Sequence, residues 1–338
     1  MNHPSLSEDT ASVRATNDDA QISKMACVRL KYFQDDYIRH FVKRHLKRSP
    51  LINRGYYSRI AALRQLLRGF LQTPDIIGPR QVLSLGAGFD TIFFQLQANG
   101  CAPNLYVELD FPEVTSRKAA IVASEPNLQR CIPRSDDDVL DTEGGRIITK
   151  PYCLLPVDLR QPAAMEAALK LAKLQHDVPT YIIAECVLVY MRPAESNTVV
   201  RWLAEHLQQA AFVLYEQIKP HDAFGQQMMT NLQSRGCPLL GIYGTPDLQA
   251  HEQRFVQNGW HTACARDMNA IYNKHTDPED RQRIERLEML DEFEEWTLIQ
   301  GHYCIVIATK DSQQRLHQIV DLPTFPESKV VRRPLLAA

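Results

Sequence analysis

The stretch 82–90, VLSLGAGFD, constrains what this chain can fold into more than any other. Four residues of strand character run into Gly86-Ala87-Gly88, and a helical pattern opens at Asp90 with Ile92, Phe93 and Leu96 on one face. Glycines at such a turn let the backbone pass close to a ligand without a Cβ in the way, and the free N–H groups of the helix start face the same space. A nucleotide-like cofactor suits the turn, although G-x-G also recurs simply as a tight turn.

The chain has 338 residues, 44% of them hydrophobic, so it can bury a large core as two domains or one elaborated domain. A net charge of -2 argues against a broad electrostatic attraction to nucleic acid or to an anionic membrane. No apolar stretch approaches the ~18 residues that span a bilayer. The eight cysteines form no C-x-x-C pair and no Cys/His cluster, so no metal site is expected. Their scatter fits a reducing cytoplasm.

Residues 1–20 are rich in Ser, Thr, Asn and Asp and predict a disordered leader. A helical pattern then starts at Ile22 and keeps Tyr37, Ile38, Phe41, Val42 and His45 on one face as far as Ser49-Pro50. A second helix is predicted over 55–71, with Ile60, Leu63, Leu67 and Leu71 at helical spacing, so that 21–75 is helical ground before the first strand. The second strand, 105–109, stops at Asp110, roughly 20 residues past the glycines, where a carboxylate can accept from both ribose hydroxyls of a nucleoside. Glu108, on the same side of that strand, competes for the role, and Asp110 could also simply cap the next helix. Residues 124–150 read as a surface excursion. Strands over 152–157 and 180–184 end at Asp158 and Glu185, and a fifth covers 211–214. Residues 218–295 break the alternation with helices over 224–235 and 278–296 around a strand-like 261–265. The last strand is 303–309, followed by an irregular tail, 311–338.

Apolar strands alternating with helices predict an open α/β sheet covered on both faces, its strand ends opening at one edge. Where a dehydrogenase turn would carry a third glycine, this chain has Thr91. A tight G-x-G with acids ending strands two, three and four fits S-adenosyl-L-methionine instead. Asp110 then serves the ribose hydroxyls, Asp158 the adenine amino group and Glu185 the methionine ammonium. Arg59 can supply the cation that a carboxylate needs. Cys186, beside Glu185, reads as a packed thiol rather than a nucleophile.

The segments INRGYY, LSLGAGFDT, VELDFP, VDLR, AECVLVYM and HYC occur in that order and resemble the leucine carboxyl methyltransferases over about residues 22–310. The resemblance implies a seven-stranded, Rossmann-like class I S-adenosylmethionine-dependent methyltransferase sheet with an added helical lid. Residues 21–310 would form a single domain, with 218–295 as the insertion walling the substrate pocket. Cofactor contacts would fall on Lys24, Arg59, Gly86, Asp110, Asp158, Leu159 and Glu185. Tyr190 would line the active pocket, and Lys24, Arg59 and Tyr190 are the candidates beside the reacting groups. The implied substrate is the C-terminal leucine carboxylate of the protein phosphatase 2A catalytic subunit, methylated by a monomeric, metal-free enzyme. A tRNA-modifying branch of the family carries a long C-terminal propeller absent from this sequence, which favours the protein-methylating branch. A methyltransferase acting on a small carboxylate or hydroxyl, and a non-catalytic phosphatase-binding module, are the alternative readings.

Overall fold

The computed structural model describes residues 6–312, 316 and 320–325. Two long helices, α1 (Leu6–Arg29) and α2 (Pro50–Gln72), lead into β1 (Gln81–Leu85), α3 (Ile92–Ala98), β2 (Leu105–Asp110), α4 (Pro112–Ser124) and α5 (Pro126–Gln129). A short hairpin, β3 (Val139–Asp141) and β4 (Arg146–Ile148), precedes β5 (Tyr152–Pro156), α6 (Pro162–Leu171), β6 (Thr180–Glu185), α7 (Pro193–His206) and β7 (Ala210–Gln217). Then come α8 (Ala223–Ser234), α9 (Leu248–Gln257), β8 (Thr262–Asp267), α10 (Met268–Ala270), α11 (Pro278–Glu285), α12 (Phe293–Gly301) and β9 (Tyr303–Lys310).

The strands form one sheet in the order β3-β4-β5-β2-β1-β6-β7-β9-β8. β5, β2, β1, β6 and β7 are parallel, β9 runs antiparallel to β7, and β8 pairs antiparallel with β9 and so points the same way as the parallel strands. Nine strands stand where seven were expected. The surplus pair is the hairpin β3–β4, which adds to the edge of β5 through Ile147 opposite Leu154. Strands of three residues carry too little alternation to be read from sequence.

Alternation along the parallel strands divides the core between the two faces. Leu83, Val107 and Ile182 pack with Met165, Leu169, Val199 and Leu203 of α6 and α7. Val82, Tyr106, Leu154 and Tyr181 pack with Leu63, Leu67 and Phe70 of α2, and with Phe93 and Phe94 of α3. Leu316, Val320 and Leu322 join this second cluster. Most of the predicted tail lies outside the described residues.

Two expectations for the first 50 residues need correction. The predicted leader is helical from Leu6, because its polar groups make specific contacts: Arg14 pairs with Glu113 at 2.5 Å and Asp18 with Arg117 at 2.9 Å. The next helix does not run on to residue 45. It ends at Arg29, Lys31 turns the chain with φ +64°, and the Asp35 carboxylate accepts from Tyr37 N and Ile38 N, leaving only the one-turn 3₁₀ element Ile38–His40. A third element, α9, was not anticipated. Its segment LQAHEQRFVQ buries only His251, Arg254 and Phe255, too sparse an apolar stripe to announce a helix.

Glu108 is also settled as structural. It is fully buried beneath α4, where Lys118 Nζ and Tyr152 Oη donate to the same carboxylate oxygen. Burial pushes this carboxyl up to about 7, against the pull of Lys118. Deleting one partner leaves a buried charge uncompensated, so Lys118→Met should lower the unfolding free energy by about 3 kcal/mol or more in urea titrations. Pairing it with Glu108→Leu should recover most of the loss.

Candidate active site

Gly86 and Gly88 both take left-handed conformations, with φ of +58° and +54°. A Cβ on Gly86 would lie 2.6 Å from the Val187 side chain, and one on Gly88 2.5 Å from Asn17 Oδ1, so space and conformation both demand glycine. The N–H groups of this turn are not left open, as the sequence had suggested. Gly88 N donates to Asp110 Oδ2 at 2.6 Å, and Phe89 N donates to Asn17 Oδ1 of α1 at 2.8 Å. Sequence gave no signal for Asn17, which lies in the stretch read as a leader.

Asp110 sits at the end of β2, 9% exposed, with Phe111 N donating to its other oxygen at 2.7 Å. Burial dominates its electrostatics and pushes the carboxyl up to about 6, although both backbone donors act to lower it. Glu185, at the end of β6, takes the opposite course. Burial alone would raise it, but Arg59 and then Lys24 outweigh this and hold it below the usual carboxylate range. Asp158 stands apart from these two. Arg160 grips its carboxylate from Nε at 2.9 Å and Nη2 at 2.7 Å, and it is Val157, Leu159 and Arg160, not Asp158, that face the cavity. Those hydrogen bonds override the effect of burial and lower Asp158.

Opposite the strand ends, α2 delivers Arg59. Its Nε donates to Glu185 Oε2 at 2.6 Å, and its guanidinium lies 4.5 Å from the centre of the Tyr215 ring. Its terminal nitrogens have no hydrogen-bond partner among the described residues. Lys24 of α1 stands 3.6 Å from Asp90, with Glu185 and Asp90 together holding its ammonium group charged despite burial. Tyr190 occupies the one-turn 3₁₀ element Leu188–Tyr190, which is fixed from below by Glu216 accepting from Val189 N at 2.7 Å and from above by Gly241 N donating to Val189 O at 2.8 Å. Cys186 has a left-handed φ of +55°, and burial pushes its thiol up to about 12, so it stays protonated and is no nucleophile.

These groups share one cavity of about 1010 Å³ under α1. Lys24, Arg59, Gly86, Asp110, Leu159, Glu185 and Tyr190 all reach its wall, and the structure adds Tyr56, Tyr215, Tyr303 and Gln217. The 218–295 insertion divides. The end of α8 and the segment through Leu240 wall the cavity, while α11 buttresses the N-terminal helices through Asp280, which accepts from Tyr57 Oη at 2.5 Å. Among the described residues no group of three His, Cys, Asp or Glu could hold a metal ion.

Residues 13–204 match the family model described as leucine carboxyl methyltransferase. Among relatives, the chain is 49% identical to the Arabidopsis thaliana leucine carboxyl methyltransferase 1 homolog over 302 residues, covering 89% of this chain and 90% of that one. It is 39% identical to the human tRNA wybutosine-synthesizing protein 4, over 95% of this chain and 47% of that protein. The fold is similar to the crystal structure of a candidate methyltransferase from Thermobifida fusca, with a TM-score of 0.51 at 14% identity, covering 87% of this chain and 94% of that one. The turn, the strand-end acids and this similarity over nearly the full length lead to one conclusion: the chain belongs to the leucine carboxyl methyltransferase family and is an S-adenosylmethionine-dependent methyltransferase.

Proposed function

We propose that this enzyme methylates the α-carboxylate of the C-terminal leucine of the protein phosphatase 2A catalytic subunit, giving a methyl ester and S-adenosylhomocysteine. The observation that carries the reading is the meeting, in one cavity, of the Gly86–Gly88 turn, Asp110 and Glu185 with the cations Arg59 and Lys24. The first group suits a nucleoside with a methionine ammonium, and the second suits carboxylates. Asp110 would take the ribose hydroxyls and Glu185 the ammonium. The adenine would lie against Leu159, with Asp158 able to turn to its amino group only by loosening its hold on Arg160.

The reaction is a direct displacement. A carboxylate oxygen forms a bond to the methyl carbon as the sulfur–methyl bond breaks, and the electron pair stays on sulfur, which leaves as a neutral thioether. A terminal carboxyl group has a pKa near ~3.5, so the nucleophile is already ionised at neutral pH and no general base is needed. Catalysis then rests on alignment and on replacing water with fixed charges, which in well-oriented systems lowers barriers by ~7 kcal/mol or more. Arg59, Lys24 and Tyr190, which all line the cavity, would hold the carboxylate. The eight free thiols suit a cytoplasmic setting.

The similarity to a tRNA wybutosine-synthesizing protein supports a second reading, with a tRNA as the methyl acceptor. Incubation with labelled S-adenosylmethionine should label the intact phosphatase catalytic subunit, and neither the form lacking its last leucine nor bulk tRNA. Equal labelling of both phosphatase forms, or labelling of tRNA alone, contradicts the proposal. Cofactor affinity should also follow Asp110. Its pKa of about 6 lies above the ordinary 3.8, so the carboxylate is intact above about pH 7 and lost on acidification towards pH 5. Calorimetric titrations with S-adenosylhomocysteine should show affinity falling about tenfold over that interval, with Asp110→Asn weak and nearly flat throughout.

A further inference from the structure

Tyr190 reaches the cavity from a segment with an unusual backbone. Unlike Tyr106 and Tyr181, whose hydroxyls are sealed in the core, it lines the cavity, and its hydroxyl makes no hydrogen bond among the described residues. The chain arrives there from Glu185 through Cys186, a residue with a side chain that nonetheless takes a left-handed φ of +55°. Such a conformation costs energy and persists only where the surroundings hold it. The holding contacts come from β7. Tyr215 O accepts from Cys186 N at 2.7 Å, and the next residue, Glu216, accepts from Val189 N at 2.7 Å through Oε1 and also faces the Leu188 N–H. On the far side Gly241 N donates to Val189 O at 2.8 Å, and a Cβ on Gly241 would stand 2.8 Å from Met191 O, so only glycine fits there.

Glu216 is fully buried, and its charge is poorly matched. Arg254 of α9 approaches Oε2 only to 3.9 Å, and Oε2 accepts no hydrogen bond. Burial pushes the carboxyl up to about 7 against the pull of Arg254. A buried pair of such geometry does not offset the desolvation of two charges, and apolar residues of similar size would hold the core as well. What the carboxylate supplies, and a leucine cannot, is an acceptor aimed at the backbone one residue before Tyr190. Resting on the carboxyl-methylation reading above, we propose that Glu216 is a positioning residue that fixes Tyr190 at the reacting carboxylate through the backbone of residues 188–189. Glu216 itself is not part of the cavity wall, so it acts only through what it holds. Alignment is what this reaction needs most, because a displacement of about 1 Å at a reacting group can cost about 10²-fold in rate.

The test is a double-mutant cycle on the full-length enzyme, with the intact phosphatase catalytic subunit as acceptor. Both charges are removed together, because either one left alone would be a buried, unpaired ion. Glu216→Gln with Arg254→Met keeps an acceptor for Val189 N and should hold kcat within about threefold of wild type. Glu216→Leu with Arg254→Met removes the acceptor and should lower kcat by about thirtyfold or more, while affinity for S-adenosylhomocysteine, measured by calorimetry, stays within about threefold. Tyr190→Phe should cost about tenfold in kcat in the wild-type background but no more than about twofold in the leucine pair, the non-additivity expected when one residue acts through another. If the leucine pair does not fold, Glu216→Asp, one carbon shorter with its charge intact, enters the cycle in its place with the same non-additivity expected. Full additivity, equal loss in the glutamine and leucine pairs, or near-wild-type turnover in the leucine pair overturns the assignment. So does cofactor affinity that falls in step with kcat, or a Tyr190→Phe variant with wild-type turnover. A wild-type enzyme that does not label the phosphatase brings down the carboxyl-methylation reading itself, and this inference with it.

Discussion

The ion pair between Arg59 and Glu185 is the contact on which the rest of the site depends. Its side chains are only 13% and 15% exposed, and desolvating two charges costs several kcal/mol, which is offset only when they meet in good geometry. The middle of α2 must therefore approach the end of β6 in one register. Tyr215 under the guanidinium and Lys24 beyond the carboxylate extend the constraint to β7 and α1. A buried pair of this kind adds little to stability compared with well-packed apolar residues. Its use lies in presenting fixed charges of both signs to one cavity, which a zwitterionic sulfonium and a carboxylate acceptor require.

The same pair bears on catalysis. In a partly buried site, charge–charge attraction is several times stronger than in water, and a bare cation would hold a carboxylate tightly in its ground state. Binding the ground state as well as the transition state does not speed the chemical step. Arg59 is already partly neutralised by Glu185, so under the proposed function its remaining N–H groups would orient a carboxylate without trapping it. The N-terminal helix completes the enclosure. Its contacts to the glycine turn and α4 are polar and lie largely at the surface, through Asn17, Arg14 and Asp18, and exposed ion pairs are individually weak.

Features with a short-range sequence signature were legible, and those created by tertiary pairing were not. Gly86, Gly88, Asp110 and Glu185 could be placed because a strand, a turn and a strand-end acid are local patterns. The hairpin β3–β4 went unseen because its strands are three residues long and draw their order from β5. The polar residues 6–20 read as disorder because composition cannot tell a solvated Asn or Asp from one, such as Asn17, that meets a backbone N–H 72 residues away. Glu108 and Asp110 look alike along the strand, and only Lys118 rising from α4 separates the buried structural acid from the one in the cavity. Asp158 was found at the right strand end, but its partner two residues on, Arg160, turns its carboxylate aside.

The arrangement makes one central claim: a single molecule of cofactor spans the ends of β1, β2 and β6 beneath α1, with its methionine end at the Arg59–Glu185 pair. A crystal structure of the enzyme with S-adenosylhomocysteine tests this most directly. The account predicts one bound molecule with its ribose hydroxyls on Asp110 and its ammonium on Glu185, both within the ~2.6–3.2 Å of ordinary hydrogen bonds, and the Gly86 backbone alongside. A cofactor bound elsewhere, or in this cavity touching neither acid, would contradict it.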